Sequence, residues 1–160
     1  MEQLRLMGNG YWMRVADGDE RAARLYRDHY SCYVYADHRR DDLKNRNRNL
    51  IVGPGEKIVL LSVTLDALFC WRKFIDNSGQ QGINCSVFRN TSPVLSSTLI
   101  IEAEKWAQAK WPDATRAYTY VNAAKVASRN PGYCFKAAGW KQAGRTKGGL
   151  LILDKELSCN

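Results

Sequence analysis

Apolar runs of strand length alternate with polar turns along much of this chain, and one longer segment repeats its apolar residues at helical spacing. YWMRVA (11–16) predicts a short strand, after which Asp17 or Asp19 can cap a helix in ERAARLYRDHY by accepting free backbone amides. KIVLLSV (57–63), ALFCWRKF (67–74) and INCSVF (83–88) are rich in β-branched, aliphatic and aromatic residues and predict consecutive central strands. The turns between them are marked by GPGE (53–56), where Pro54 presets φ and Gly55 accepts a positive one, and by DNSGQQG. In SSTLIIEAEKWAQAKW (96–111) Leu99, Ala103, Trp106 and Ala107 share one helix face, Ser96 or Ser97 can cap its start, and Pro112 ends it. RAYTYVN (116–122) predicts a strand and 131–138 a short helix stopped by Gly139, and KQAGRT and GLLILDKEL predict two closing strands. The order is β-α, a loop, three strands, a long helix, a strand, a short helix and two strands, which mixes antiparallel pairs with at least one β-α-β unit.

A length of 160 residues with 45% hydrophobic and 25% charged residues fits one folded domain over 1–160 and argues against wholesale disorder. No apolar run approaches the roughly 20 residues of a membrane span. The N-terminal MEQLRLMGNGYW lacks the apolar stretch of a signal peptide, so a cytoplasmic location is expected, that of a host cell for a phage-encoded protein. Five cysteines, widely spaced and without C-x-x-C, indicate neither a disulfide framework nor a zinc site and read as reduced thiols. The two histidines and scattered carboxylates neither require nor exclude a metal.

Net charge changes the picture more. Twenty-four basic against 16 acidic residues leave +8, a field that attracts polyanions. Residues 37–49, DHRRDDLKNRNRN, hold five of the basic residues, partly offset by Asp41 and Asp42; Leu43 is the one apolar residue there, and Arg39, Arg40, Lys44, Arg46 and Arg48 can contact phosphates. Such a segment predicts an exposed loop suited to nucleic acid or simply solvated, with Asn45, Asn47 and Asn49 able to bond bases or sugars. Trp71 and Tyr35 are candidates to stack on an extruded base, although a strand tryptophan also serves a core.

The element order, together with NPGYCFKAAGWKQAGRTKGGLLIL (130–153), resembles the GNAT superfamily of acyl-CoA-dependent N-acyltransferases, with Gly139-Trp140 where the family has Gly-Phe. His29, Tyr30 and Ser31, the GPGE turn and the SVFRN-to-SSTLI junction are similar to phage Mom-type DNA-modification proteins and related phage DNA-base acetyltransferases. The resemblance implies an α/β (α+β) fold with a mixed, mainly antiparallel sheet flanked by helices, and acetyl-CoA or another acyl-CoA as cofactor. It implies cofactor contacts at Val87, Phe88, Arg89, Ser96, Ser97, Asn122 and Phe135, the pyrophosphate lying at a helix N-terminus. Arg89 to Ser97 contains none of the glycines the family has in this turn.

Acyl transfer to an amine needs an unprotonated nucleophile, a polarised carbonyl and a proton for the leaving thiolate. His29, with Tyr30 and Ser31 beside it, is the candidate base. The family tyrosine that protonates the thiolate corresponds to Phe135, which cannot donate, and Tyr133 is the nearby phenol; Asn122 is a candidate beside the cofactor or an ordinary turn residue. The resulting expectation is a DNA-modifying acyltransferase acting on duplex DNA at an amine of a modified base, such as an aminomethyl pyrimidine. Modification of the adenine amino group, an inactive nucleic-acid-binding module of the same fold, and an enzyme for a small amine or protein lysine are the rivals.

Overall fold

The computed structural model describes residues 10–27, 49–74, 79–125 and 129–157. The element order is β1 (Trp12–Val15), α1 (Glu20–Arg27), β2 (Glu56–Ser62), β3 (Ala67–Lys73), β4 (Ile83–Asn90), α2 (Ser96–Lys110), β5 (Arg116–Val121), α3 (Tyr133–Ala137), β6 (Lys141–Arg145) and β7 (Leu151–Glu156). All seven strands join one sheet in the order β1-β2-β3-β4-β5-β7-β6. Every neighbouring pair is antiparallel except β4 with β5, which run parallel with α2 as their crossover. A mixed, mainly antiparallel α+β sheet is therefore what the alternation of runs and turns produces.

The central strands read as nearly unbroken apolar runs because both faces of the sheet are covered. On one face Ile58, Leu60, Phe69, Trp71, Ile83, Cys85, Ala117 and Leu153 pack with Leu99, Ala103, Trp106 and Ala107 of α2 and with Phe135 of α3. On the other, Val59, Leu68, Cys70 and Val87 pack against Ala22 of α1 and Val52. The four residues that mark the apolar face of α2 are all buried, as their spacing predicts. Three indoles tie this helix to the sheet and to β6's entry: Trp12 Nε1 donates to Leu99 O and Trp71 Nε1 to Ala103 O, each at 2.9 Å, and Trp140 Nε1 donates to Glu104 Oε2 at 3.4 Å.

Of the two aspartates that follow β1, Asp19 is the cap. Its Oδ1 accepts the amides of Arg21 and Ala22, and its carboxylate takes the Arg21 guanidinium at 2.8 Å. That side-chain hydrogen bond is the main reason its carboxyl is held below the ordinary value of 3.8. Asp17 instead binds the amides of Ile51 and Val52 and the Lys57 ammonium, fastening the chain beside β2. Asp19→Ala is expected to cost about 1 kcal/mol in urea unfolding at neutral pH. Because the folded pKa is lowered, the capping contribution is present above pH 3.8 and lost as pH falls through the folded value, so mutant and wild type should converge in acid.

Gly82 shows why glycine stands at the entry to β4: its φ is +119°, and a Cβ there would meet the Arg116 carbonyl oxygen at 2.3 Å. Only a residue without a side chain lets β4 approach β5 at the start of their parallel pairing.

Candidate functional site

The parallel contact between β4 and β5 is short. Ile83, Asn84 and Cys85 pair with Ala117, Tyr118 and Thr119, and the pairing then stops, although β4 continues to Asn90 and β5 to Val121. Thr119 Oγ1 donates to Cys85 O at 2.9 Å at the last paired position. On the β3 side the register shifts at the same level: Trp71 faces Cys85 and Cys70 faces Val87, so Ser86 is an extra residue, a β-bulge. From Ser86 onward the strand is free of β5, and the two strands open a gap at their C-terminal ends, the end where parallel α/β units bind ligands.

Several sequence candidates gather at that end. Phe88 of β4 and Phe135 of α3 meet edge to face with ring centres 5.8 Å apart, and Phe135 packs on Trp140 at 4.9 Å. Asn122 directly follows β5, where its Oδ1 accepts the Ala124 amide at 3.1 Å. α3 begins against the same strand end, since a Cβ on Gly132 would touch Leu153 and Val121. Tyr133, the first residue of α3, is 62% exposed. Ser96 and Ser97 open α2 as its first helical residues. They do not cap it, because Leu95 stands at the N-cap and offers no side-chain bond. Ser96 Oγ is instead held by Asn90 Nδ2 at 3.0 Å. Asn90 also donates to Val94 O and accepts the amide and hydroxyl of Ser92, so one asparagine shapes a turn for which the family resemblance implied glycines.

Other candidates lie elsewhere. Arg89 sits on the opposite side of the sheet and donates to Leu25 O of α1 at 2.7 Å, away from the start of α2, because alternation along β4 turns it from Phe88. Val87 is buried with Ala22 and Leu68 on that same side, so its side chain does not line the helix face. Trp71 is fully buried, and its ring packs on Phe69 at 4.7 Å and on Trp140 at 6.2 Å. Its face is taken by the core and cannot stack on a base. His29, Tyr30, Ser31, Tyr35, Arg39, Arg40, Lys44, Arg46 and Arg48 lie outside the described residues.

Among the described residues, unpaired cations collect at the β6–β7 hairpin. Lys141, Arg145 and Lys147 are exposed, and none is engaged in an ion pair. Arg145 lies opposite Leu151, which also pairs with Val121, so the hairpin borders the end of β5 where the gap opens. A cavity of about 310 Å³ lined by Arg14, Asp17 and Lys57 lies away from this region, at β1 and β2. Asp17 there is consumed by the two backbone amides and Lys57, which marks the cavity as structural.

Burial pushes the thiols of Cys70, Cys85 and Cys134 up, which keeps them protonated and poor nucleophiles. No helix among the described residues is long and apolar enough to cross a membrane. Comparison with protein-family models, with curated proteins and with solved structures yields no match for this chain.

Proposed function

We propose that this chain is an acyl-CoA-dependent N-acyltransferase of the GNAT type that acylates an amine on a modified DNA base. The observation that carries the reading is the gap between β4 and β5, with its bulge at Ser86 and an uncapped helix directly after β4. A strand edge without a partner offers alternating N–H and C=O groups to an extended ligand, and the amide-rich arm of acyl-CoA can lie along it as an added strand would. Beyond that edge, the first amides of α2 and the Ser96 and Ser97 side chains suit the pyrophosphate, since a helix start carries free donors and a positive dipole end. When bound, the cofactor supplies an activated thioester carbonyl.

The chain's own residues have separate tasks in this reading. The bulge frees a backbone position from the β3 ladder, where an N–H can polarise a carbonyl oxygen. Phe88 and Phe135 give the gap an apolar wall on the helix side. Tyr133, exposed at the same strand end, is the phenol available to return a proton, and His29 with Tyr30 and Ser31 remains the proposed base. An alkyl amine is preferred over the adenine amino group as acceptor, because conjugation into the ring makes the latter a poor nucleophile. Duplex DNA as partner is supported by the +8 charge and by the free cations of the β6–β7 hairpin beside the gap.

The test is calorimetric titration with acetyl-CoA, and then with duplex DNA at low and high salt, for wild type, Ser96→Glu and Ser97→Glu. Expected are micromolar acetyl-CoA binding weakened at least about tenfold by either glutamate, which puts negative charge against the pyrophosphate, and DNA binding that falls as salt rises. DNA binding without any acetyl-CoA binding would reduce the protein to a nucleic-acid-binding module and sink the acyltransferase reading.

A further inference from the structure

Charge is segregated along this chain. The 40 residues between Asp113 and Asp154 carry seven basic side chains and no carboxylate, so nearly the whole +8 excess arises within a quarter of the sequence. Of those seven, Arg116 alone forms an ion pair among the described residues, with Asp154 at 2.9 Å.

The fold brings four of the others to one end of the sheet. Val121, the last residue of β5, pairs with Leu151, the first of β7, which pairs in turn with Arg145, the last of β6. Beyond this row, a turn right after β5 returns the Lys125 amide to Asn122 O at 3.1 Å, and Lys147 stands in the β6–β7 turn, which the Thr146 amide closes on Leu150 O at 2.9 Å. Arg129 opens the segment that leads into α3, and Gly132 in that segment abuts Val121 and Leu153. Lys125, Arg129, Arg145 and Lys147 are all exposed, and none has an ion pair or a side-chain hydrogen bond among the described residues. Three neighbouring strands span about 10 Å, roughly one Debye length in dilute salt, so these charges act on a ligand together.

The surroundings select among polyanions. The exposed residues between the four cations, such as Asn130, Gln142, Gly148 and Gly149, are small or neutral, and Tyr133 is the one large exposed ring. A surface that enters a membrane combines its cations with exposed aliphatic side chains, and this one has no large one. β6 has no strand on its outer side, so backbone N–H groups along it stand open beside the cations. A Cβ on Gly149 would meet nothing within 4 Å, so the turn backbone is uncovered as well. Cations with open backbone amides are the donors that hold nucleic-acid phosphates. A duplex strand advances about 3.4 Å per phosphate, which sets about three phosphates against the row.

We propose that Lys125, Arg129, Arg145 and Lys147 form the docking rim for duplex DNA, gripping the phosphate backbone at the strand end where β4 and β5 part. This deepens the acyltransferase reading by naming the surface that presents the DNA to the gap, and it rests on that reading for what is then done to the base. Phosphate contacts position the duplex without reading its sequence, so the rim sets affinity and leaves base choice to the gap.

The experiment measures binding of a labelled duplex between about 50 and 200 mM salt to wild type, to the pairs Lys125→Gln/Arg129→Gln and Arg145→Gln/Lys147→Gln, and to Lys73→Gln/Lys110→Gln. The last pair removes the same charge at the opposite end of the sheet, where β3 and α2 finish. Each rim pair should weaken binding at least about tenfold at the lower salt and reduce the log–log salt slope by about 2, whereas the distant pair should stay within about threefold of wild type. Equal losses for rim and distant pairs, or an unchanged slope in the rim pairs, overturn the rim. So does binding of wild type to phosphatidylserine vesicles that competes with the duplex and falls in the same variants, which would make the surface a membrane contact. Acetyl-CoA affinity of the rim pairs should match wild type within about twofold, and a parallel loss would assign these cations to the cofactor instead. Rim-dependent DNA binding in a protein that does not bind acetyl-CoA supports the rim and removes the acyltransferase reading.

Discussion

Trp71→Ala is expected to lower the free energy of unfolding by about 4–5 kcal/mol, the upper part of the range for removing a buried aromatic. The side chain is fully buried between Phe69 and Trp140, and its Nε1 anchors Ala103 of α2. Truncation therefore opens a cavity under the helix and breaks one of the bonds that hold it to the sheet. Against a total stability of about 5–15 kcal/mol, this is enough to depopulate the native state on mild heating. Trp71→Phe, which keeps most of the packing and loses the indole donor, should cost about 1–2 kcal/mol. Denaturant unfolding of both variants decides the matter, and a loss below about 1 kcal/mol for Trp71→Ala would contradict the burial.

The second large effect is electrostatic and depends on pH. Glu104 of α2 and Lys155 of β7 form an ion pair at 2.7 Å with side chains 8% and 27% exposed, and Lys155 also donates to Ala138 O at 2.8 Å. Burial raises the Glu104 carboxyl above its ordinary 4.5, an effect opposed by Lys155 and by the Trp140 indole. A raised folded pKa means that the native state holds the proton more tightly than the unfolded chain. The associated stability is complete below pH 4.5 and is lost as pH rises through the folded pKa. Lys155→Met takes away the opposing influence of the ammonium, so the carboxyl is raised further and the loss with pH becomes steeper. At neutral pH an unpaired buried carboxylate should cost about 3 kcal/mol, the low end for breaking such a pair because Lys155 is partly exposed. Near pH 4 the difference from wild type should shrink to a small fraction of that. Adding Glu104→Gln should restore much of the loss at neutral pH, and a variant equally destabilised at both pH values would show that packing, not charge, is responsible.

The central strands were readable from their runs of apolar residues, because burial on both faces leaves them few polar interruptions, and α2 was readable from Leu99, Ala103, Trp106 and Ala107; β6, KQAGR, is exposed and has no such run. Strand order was not, since the pairing of β5 with β7 ahead of β6 depends on contacts between residues far apart in the chain. Of the candidate residues, Phe88, Phe135, Asn122 and the start of α2 lie near one strand end, but residue type could not say which way a strand residue points. Trp71 and Arg89 were misjudged for that reason: one faces the helix-side core and the other reaches α1. Asn90 had no signal of its own, because its work is done through the turn it bonds.

The free cations of β6 have a further consequence, for solution behaviour. β6 is the last strand of the sheet order, and such a strand is a template on which another chain can continue the sheet. Lys141 and Arg145 stand at its two ends, and the register slips between Gln142 and Gly144. A second copy approaching this border meets like charge and a broken ladder together, which disfavours continuation of the sheet from one copy into the next.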